Sequence, residues 1–204
     1  MKPSALAVSI CPLSTIRQFV ERHHYSHSVN GVKIDTCFMV GCAGELVGGV
    51  IFGAMSTTAW KRFAESERSV LELRRLVLLD EAERNSESYV IGRCLRWLCM
   101  NRPEVEVIVS YADPAHGHVG TIYKASNFEY VGVSGADKGY RDPDTSKVYH
   151  SRALRTRGEH GEYKPFVVKL RDKYTAGQLE EIMLPGKHCY IYRFKRRPES
   201  RHVA

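Results

Sequence analysis

Two groups of residues in this chain combine side-chain types that support acid–base or hydrogen-bonding chemistry. The first is the run from His23 to His27, which places three imidazoles, a phenol and a hydroxyl within five residues. Such a run is consistent with an acid–base set, a metal-binding set or a stretch of exposed polar residues. Its spacing matches no HExxH-type zinc pattern, so metal binding, with His23 and His27 as weak candidate ligands, is the less favoured chemical interpretation.

The second group lies at the end of an apolar stretch, 105–111, in which β-branched residues predict a buried strand. In an open α/β sheet, ligands bind beyond the carboxyl ends of strands, so Ser110, Tyr111 and Asp113 are candidate site residues. Tyr123 joins them from the helix predicted to follow. A structural interpretation also stands, because Asp-Pro is a common turn and a helical tyrosine often belongs to the core.

The elements that must position these residues form a recognisable order. Hydrophobic periodicity and turn residues predict helices at 15–23 (capped by Ser14), 85–100, 117–126 and 175–182, and strands at 33–41, 46–54, 71–79, 105–111, 128–133, 148–154 and 188–194. An antiparallel meander followed by βαβαβ is the layout of the GNAT acyltransferase fold, in which two neighbouring strands splay apart to admit an acyl donor and an amine. We therefore expect an α/β (α+β) fold with a mixed central sheet flanked by helices. Ser56, after the second strand, is a further candidate for substrate binding.

Length and apolar content limit the domain organisation and the compartment. A chain of 204 residues suffices for one core, and we expect a catalytic core over 1–157 and a basic C-terminal extension over 158–204 within a single domain. No apolar run approaches the ~20 residues of a membrane span, and Pro3 and Pro12 interrupt the start, so we expect a cytoplasmic protein. The six cysteines contain no C-x-x-C pair, which favours reduced core residues.

The net charge of +7 favours a polyanionic partner. Basic residues crowd the last quarter of the chain, with tyrosines and a phenylalanine between them, as in nucleic-acid-binding proteins. Arg152, Arg155, Arg157 and the basic run at 193–197 are the candidate phosphate contacts. A solvated basic face is the alternative interpretation.

Several segments, in one order, resemble the Mom family of Mu-like bacteriophages. They are HHYSHSVNG (23–31), LELRRLVLLDE (71–81), VSYADP (109–114), VGTIYKASN (119–127), YHSRALRT (149–156), GEYKPFV (161–167) and LPGKHCY (184–190). The resemblance implies a GNAT-like phage enzyme that adds a carbamoylmethyl group to adenine N6 in DNA and so protects phage DNA from host restriction. It also implies that His24, Tyr25, Asp113 and Tyr123 stand at positions associated with activity.

The residue types fit this implied reaction. Adenine N6 is a poor nucleophile because its lone pair is delocalised into the ring, so a proton acceptor is needed as the new bond forms. Asp113 is the candidate for binding the amine or acting as the base, and His24 for relaying the proton. Tyr25 and Tyr123 are candidates for stacking on the base or donating to an oxyanion. We expect double-stranded DNA with a flipped adenine as the substrate, and a pocket on which His24, Tyr25 and Asp113 converge.

The donor is less well defined than the acceptor. GNAT enzymes hold a pyrophosphate with a glycine-containing turn, whereas the corresponding turn here, DEAERNSES at 80–88, is acidic and contains no glycine. An acyl donor is required, and activated glycine, most simply glycyl-tRNA, is favoured. Acetyl-CoA with a metal-assisted oxidative step is the alternative, although the ligand spacing does not support iron. Two other functions stay open: an N-acyltransferase acting on a protein or small amine, and a non-catalytic DNA-binding protein.

Overall fold

The computed structural model describes residues 1–29, 33–55, 58–158 and 160–195. The helices are α1 (Leu13–His23), α2 (Ser86–Asn101), α3 (Thr121–Ala125) and α4 (Pro165–Thr175). The strands are β1 (Ala7–Cys11), β2 (Ile34–Cys42), β3 (Glu45–Gly53), β4 (Val70–Leu78), β5 (Val107–Ala112), β6 (Glu129–Val133), β7 (Asp137–Arg141), β8 (Val148–His150), β9 (Glu180–Leu184) and β10 (His188–Arg193). The chain divides into two compact units.

The first unit comprises residues 1–112, 119–132 and 189–204 and contains most of a seven-stranded sheet. The strand order is β1-β2-β3-β4-β5-β10-β6. Strands β1 to β4 pair antiparallel in sequence order, and β4 pairs parallel to β5. The predicted mixed sheet with helices is therefore confirmed, and β1 is a strand that the sequence did not predict.

Apolar residues cover both faces of this sheet because successive strand residues point to opposite sides. The cluster that includes the buried residues of α2, such as Ile91 and Leu95, also contains Phe52 and Ile108 of the strands. Ile16 and Val20 of α1 belong to a separate cluster with strand residues such as Ile51. Pro12 occupies the N-cap position of α1, so the predicted cap at Ser14 is wrong.

The second unit comprises residues 113–118 and 133–188. Its three-stranded sheet has the order β8-β7-β9, and Tyr140, Leu154 and Leu170 form a small buried cluster. Several predictions fail here. The strand predicted over 148–154 ends at His150 and continues as a 3₁₀ segment, Ser151–Arg155. The helix predicted over 175–182 is wrong, since α4 precedes it and β9 occupies its second half.

Strands β7 and β9 were both missed from the sequence, for one physical reason. Strands β7 (DKGYR) and β9 (EEIML) carry many charged residues and little alternation of apolar side chains, so each is stabilised by pairing with the other rather than by a local pattern. The predicted boundary at residue 157, between the catalytic core and the basic C-terminal extension, stays a prediction.

Among the described residues, no helix is long and apolar enough to cross a membrane.

Candidate active site

Strands β4 and β5 separate part-way along their length. Their parallel register runs from Val70 opposite Val107 to Leu73 opposite Ser110 and ends there. Both strands continue, β4 to Leu78 and β5 to Ala112. The divergence lies at the carboxyl side of both strands, which is where ligands bind in open α/β sheets. We call this point the strand divergence.

Ser110 and Tyr123 are hydrogen-bonded to each other next to the strand divergence. Ser110 is fully buried, and its hydroxyl donates to the Leu73 carbonyl oxygen at 3.4 Å. Burial raises the pKa of Tyr123, and the neighbouring Tyr25 and Glu72 raise it further against the opposing effect of the Ser110 hydrogen bond. Tyr123 is therefore protonated at neutral pH, so its phenol can donate a hydrogen bond but cannot act as a base.

The position of Tyr123 depends on how α3 is held. The Tyr190 hydroxyl donates to the Val119 carbonyl at 2.7 Å, and the Tyr190 ring lies 5.4 Å from that of Tyr123. A Cβ atom on Gly120 would lie 2.2 Å from the Tyr190 ring, and Gly120 itself has φ +74°. Gly117 also has positive φ, 73°, so α3 begins only at Thr121 and is shorter than predicted.

His24 is buried just beyond the end of α1, and its tautomer follows from its neighbours. The Ser26 backbone N–H donates to His24 Nδ1 at 3.1 Å, and Ser26 Oγ lies 2.8 Å from the same atom. An Nδ1 that accepts a backbone N–H carries no proton, so the neutral ring is protonated on Nε2. His24 thus presents a donor, which suits binding an oxyanion better than accepting a proton.

Tyr25 has a more exposed position than His24. Its side chain is 44% exposed, and its ring centroid lies 4.2 Å from that of His24. Tyr25 also interacts electrostatically with Tyr123 and with Arg75. The structure therefore brings His24, Tyr25, Ser110 and Tyr123 into one neighbourhood within the first unit.

Two charged residues of β4 belong to the same neighbourhood and were missed from the sequence. The Glu72 carboxylate lies 3.2 Å from the Arg74 guanidinium, with only 13% of its side chain exposed. Glu72 also interacts electrostatically with Tyr111, Tyr123 and Arg75. A carboxylate this close to the strand divergence is a candidate proton acceptor.

Arg75 links the loop after α1 to β4. Its Nε donates to the Ser28 carbonyl oxygen at 3.0 Å, across a sequence separation of 47 residues. Burial lowers the pKa of Arg75, an effect that the nearby Tyr25 and Glu72 oppose. The signal for both residues was the stretch LELRRLVLL, because charged side chains in a central strand are costly unless they have partners.

Tyr111 lies in a different environment from Ser110. It packs with the apolar cluster of Val109 and Ile191, and it is hydrogen-bonded to the buried Cys189 thiol. Burial raises the pKa of Tyr111 well above its usual range. Tyr111 therefore contributes to the core, and its predicted substrate-binding role stays a prediction. Ser56 lies outside the described residues.

Asp113 lies in the second unit, at the start of a short 3₁₀ turn. Its carboxylate lies 2.6 Å from Lys187 Nζ and accepts the Ala115 backbone N–H at 3.0 Å. Burial alone raises the pKa of Asp113, but the hydrogen bond and charge of Lys187, the Ala115 N–H and the charge of His116 together lower it. A carboxylate with a lowered pKa is a good hydrogen-bond acceptor and a weak base. Its convergence with His24 and Tyr25 stays a prediction, because those residues lie in the first unit.

Comparison with known proteins decides the family. A model of the Mom protein family matches residues 5–203. The chain belongs to the Mom family. The protein named methylcarbamoylase mom of Escherichia phage Mu is 30% identical over 151 residues, which are 72% of this chain and 62% of that protein. The match thus spans less than two thirds of the Mu relative.

The same Mom-family chain has a GNAT-like fold. A Bacillus subtilis acetyltransferase solved in complex with CoA superposes with a TM-score of 0.50 at 7% identity, covering 93% of this chain and 99% of the acetyltransferase. At such low identity the likeness concerns the fold alone. The predicted fold is confirmed.

The turn after β4 in this Mom-family protein uses its backbone N–H groups internally. Ala82 N–H donates to the Leu79 carbonyl at 3.0 Å, Glu83 N–H to the Met1 carbonyl at 3.0 Å and Ser86 N–H to the Glu83 carbonyl at 3.1 Å. These three donors are therefore not directed at a phosphate, in agreement with the absence of glycine from the turn.

The histidines proposed as weak metal ligands occupy the surface around the end of α1. His23 and His27 are exposed, and His27 Nδ1 lies 3.2 Å from the Glu21 carbonyl oxygen. Over the described parts of this Mom-family chain, no three His, Cys, Asp or Glu side chains are grouped so that they could hold a metal ion.

The candidate phosphate contacts are basic residues near the end of the chain. Arg152, Arg155 and Arg157 lie exposed in the second unit, whereas residues 196 and 197 of the basic run lie outside the described residues.

Proposed function

We propose that this Mom-family protein is a transferase that converts adenine in phage DNA to N6-carbamoylmethyladenine, which protects the DNA from host restriction in the bacterial cytoplasm. The observation that carries the proposal is the strand divergence, beside which Ser110 is hydrogen-bonded to Tyr123, and Tyr25 and Glu72 interact electrostatically with Tyr123. Family membership and the name of the Mu relative, a methylcarbamoylase, support the choice of reaction.

Each residue of this neighbourhood has a role in the proposed reaction. Glu72 accepts the proton that N6 loses as the new bond forms. Tyr123, neutral and anchored on Ser110, donates a hydrogen bond to the oxyanion of the tetrahedral intermediate, and His24 Nε2–H provides a second donor. Tyr25, the most exposed of the group, stacks on the extruded adenine and offsets the few kcal/mol that base flipping costs.

Asp113 binds the exocyclic amine in this proposal. Its ion pair with Lys187 lowers its pKa and so favours the ionised carboxylate, which accepts a hydrogen bond from N6–H and orients the single lone pair of N6. That role requires an acceptor rather than a strong base.

The product restricts the choice of donor. Acetyl transfer would give N6–CO–CH₃, which lacks the nitrogen of the carbamoylmethyl group. Glycyl transfer gives N6–CO–CH₂–NH₂, and the free amine then attacks C6 through a five-membered ring. Cleavage of the original C6–N6 bond yields C6–NH–CH₂–CO–NH₂ with all atoms retained. Proximity favours this intramolecular step by effective molarities of about 10⁵ M or more.

We therefore propose an activated glycine, most simply glycyl-tRNA, as the donor. The turn at 80–88 supports this choice, since three of its N–H groups are already bonded within the protein. Acetyl-CoA followed by a metal-assisted oxidative step is the alternative, and the CoA complex of the Bacillus subtilis acetyltransferase is its support.

Isotope labelling of cells that express the protein tests both the reaction and the donor. Cells receive ¹⁵N,¹³C₂-glycine, and the DNA nucleosides are analysed by mass spectrometry. We expect a modified deoxyadenosine whose side group carries the intact glycine unit, with the labelled nitrogen on C6 and the original N6 in the terminal amide. A side group without glycine carbons, or with the label in the amide, would contradict the glycyl scheme.

Two variants test the site in the same assay. Tyr123→Phe removes the hydroxyl bonded to Ser110, whereas Tyr89→Phe removes a hydroxyl from α2 and serves as the matched control. We expect loss of the modified nucleoside only in the first. A glycyl adduct on a protein side-chain amine or a small amine, with unmodified deoxyadenosine, would favour the general N-acyltransferase, and no transfer at all would favour a DNA-binding protein.

A further inference from the structure

Most basic residues of the second unit fall into two groups that differ in their partners. The first group lies mostly on or near the three-stranded sheet and is matched by carboxylates. Its ion pairs are Lys138–Glu181 at 2.7 Å, Arg141–Glu180 at 2.9 Å, Arg152–Asp137 at 3.7 Å, Lys173–Asp142 at 2.9 Å and Lys187–Asp113 at 2.6 Å. Each pair cancels most of its own field, so this group attracts a polyanion weakly.

The second group lies between residues 155 and 171, and we call this stretch the cationic segment. Its members are Arg155, Arg157, Lys164, Lys169 and Arg171. Within the described residues, none of these five cations has a carboxylate at ion-pair distance. The Glu162 carboxylate of the same segment accepts the His160 backbone N–H at 3.1 Å, so it folds back on its own loop.

Two guanidiniums of the cationic segment are held in fixed positions on one aromatic ring. Arg157 lies 4.3 Å and Arg171 lies 4.5 Å from the centroid of the Tyr163 ring. The Arg157 Nη1 donates to the Gly161 carbonyl at 2.7 Å, and the Arg171 Nη1 donates to the Leu154 carbonyl at 3.2 Å. Because a guanidinium has five N–H donors, both arginines keep donors for an external anion.

We propose that the cationic segment binds the sugar–phosphate backbone of the duplex DNA that carries the target adenine. The choice of DNA as the polyanion rests on the proposed function. Unpaired cations at a surface are what counterion release from a duplex requires, and guanidiniums positioned by stacking bind phosphate with little loss of side-chain freedom. The carboxylate-matched group contributes little to this contact, so only part of the basic C-terminal third positions the substrate.

The two guanidiniums on Tyr163 also favour a duplex over an unpaired strand. Recognition of single-stranded nucleic acid depends on bases stacking on aromatic rings, and the Tyr163 ring already has guanidinium contacts. Phe166, at the start of α4, is 49% exposed and offers a ring to an unpaired base. The experiment therefore includes both kinds of nucleic acid.

The test compares two double variants with the same change in net charge. Arg155→Gln with Lys169→Gln removes two unpaired cations, whereas Lys138→Gln with Arg141→Gln removes two matched ones. Binding of the full-length protein to a fluorescent 30-base-pair duplex is measured by anisotropy over a range of salt concentrations. We expect the first variant to bind roughly 10- to 100-fold more weakly near 0.1 M salt, with a salt slope smaller by about 2, and the second to resemble the unmodified protein.

Three results would overturn the inference: equal loss in both variants, unchanged duplex affinity in the first, or a larger loss for single-stranded DNA or folded tRNA than for the duplex. Lys164→Gln with Lys169→Gln replaces the first variant if circular dichroism shows that it does not fold. Because binding is measured without turnover, a failure of the binding proposal can be distinguished from a failure of the proposed function. A protein that binds through the segment but leaves adenine unmodified would contradict only the proposed function.

Discussion

The strand divergence in the first unit and the cationic segment in the second use polar residues in opposite ways. At the strand divergence, Ser110 and Glu72 are largely withdrawn from solvent and hydrogen-bonded or ion-paired within the protein. In the cationic segment, Arg155 and Lys169 are exposed and have no carboxylate at ion-pair distance within the described residues. Buried polar groups with fixed partners suit chemistry that depends on a few atoms, and exposed cations suit attraction to a polyanion.

The comparison predicts a clean division between turnover and affinity. Substitutions near the strand divergence or at Asp113 should change product formation and leave the salt dependence of DNA binding unchanged. Substitutions in the cationic segment should change the affinity for DNA and its salt dependence. They should leave product formation at saturating DNA unchanged. The following changes test that division, from the largest expected effect to the smallest.

Asp113→Asn should abolish modification while folding and DNA binding remain largely intact. The amide keeps the shape of the carboxylate but loses the charge that holds the amine and pairs with Lys187. Nucleoside mass spectrometry and anisotropy measure the two effects. Lys187→Gln is the matched control, because it breaks the same ion pair from the other side. Equal losses in the two variants would assign Asp113 a structural role instead.

Glu72→Gln should lower the rate of modification by about 10²- to 10⁴-fold, the usual contribution of a general base. The single-turnover rate on duplex DNA is the measurement. We expect a slower rate while the salt slope of DNA binding stays unchanged. An unaltered rate with a drop in stability would show that Glu72 only pairs with Arg74.

Gly120→Ala should destabilise the fold by about 2–4 kcal/mol, because it adds a clash with the Tyr190 ring to the strain of a positive φ. Denaturant unfolding measures the change. Gly117→Ala is the control, since Gly117 also has positive φ but its added Cβ would meet nothing within 4 Å, so it should cost only about 1 kcal/mol. Equal losses would mean that the packing against Tyr190 does not hold α3.

Lowering the pH should reveal the ion pair between Asp113 and Lys187 through its effect on the free energy of unfolding. Because the folded-state pKa of Asp113 lies below its ordinary 3.8, the folded chain binds fewer protons than the unfolded chain in this range. The contribution is complete above the ordinary pKa and is lost as pH falls through the lower folded value. The free energy of unfolding of Asp113→Asn should therefore fall less steeply than that of the unmodified protein below about pH 4. Parallel curves would argue against the ion pair.

The sequence by itself predicted much of the first unit. Alternating β-branched residues identified β5, the apolar hairpin identified β2 and β3, and helical spacing identified α2. These elements bury a continuous apolar face, so their local pattern and their tertiary packing agree. The sequence also pointed to His24, Tyr25 and Tyr123, through an unusual cluster of residue types and a resemblance to the Mom family.

Only the tertiary structure decided how charged residues are partnered. The sequence shows Lys187 and Arg155 as equivalent cations, yet the first lies 2.6 Å from Asp113 and the second has no carboxylate at ion-pair distance among the described residues. It likewise shows Glu72 as one acidic residue in a strand, whereas the fold pairs it with Arg74 and lets it interact electrostatically with Tyr123 and Arg75. Periodicity reports which face of an element is buried, but an ion pair depends on which distant segment packs nearby. The roles of these charges were therefore set by contacts between residues far apart in the chain.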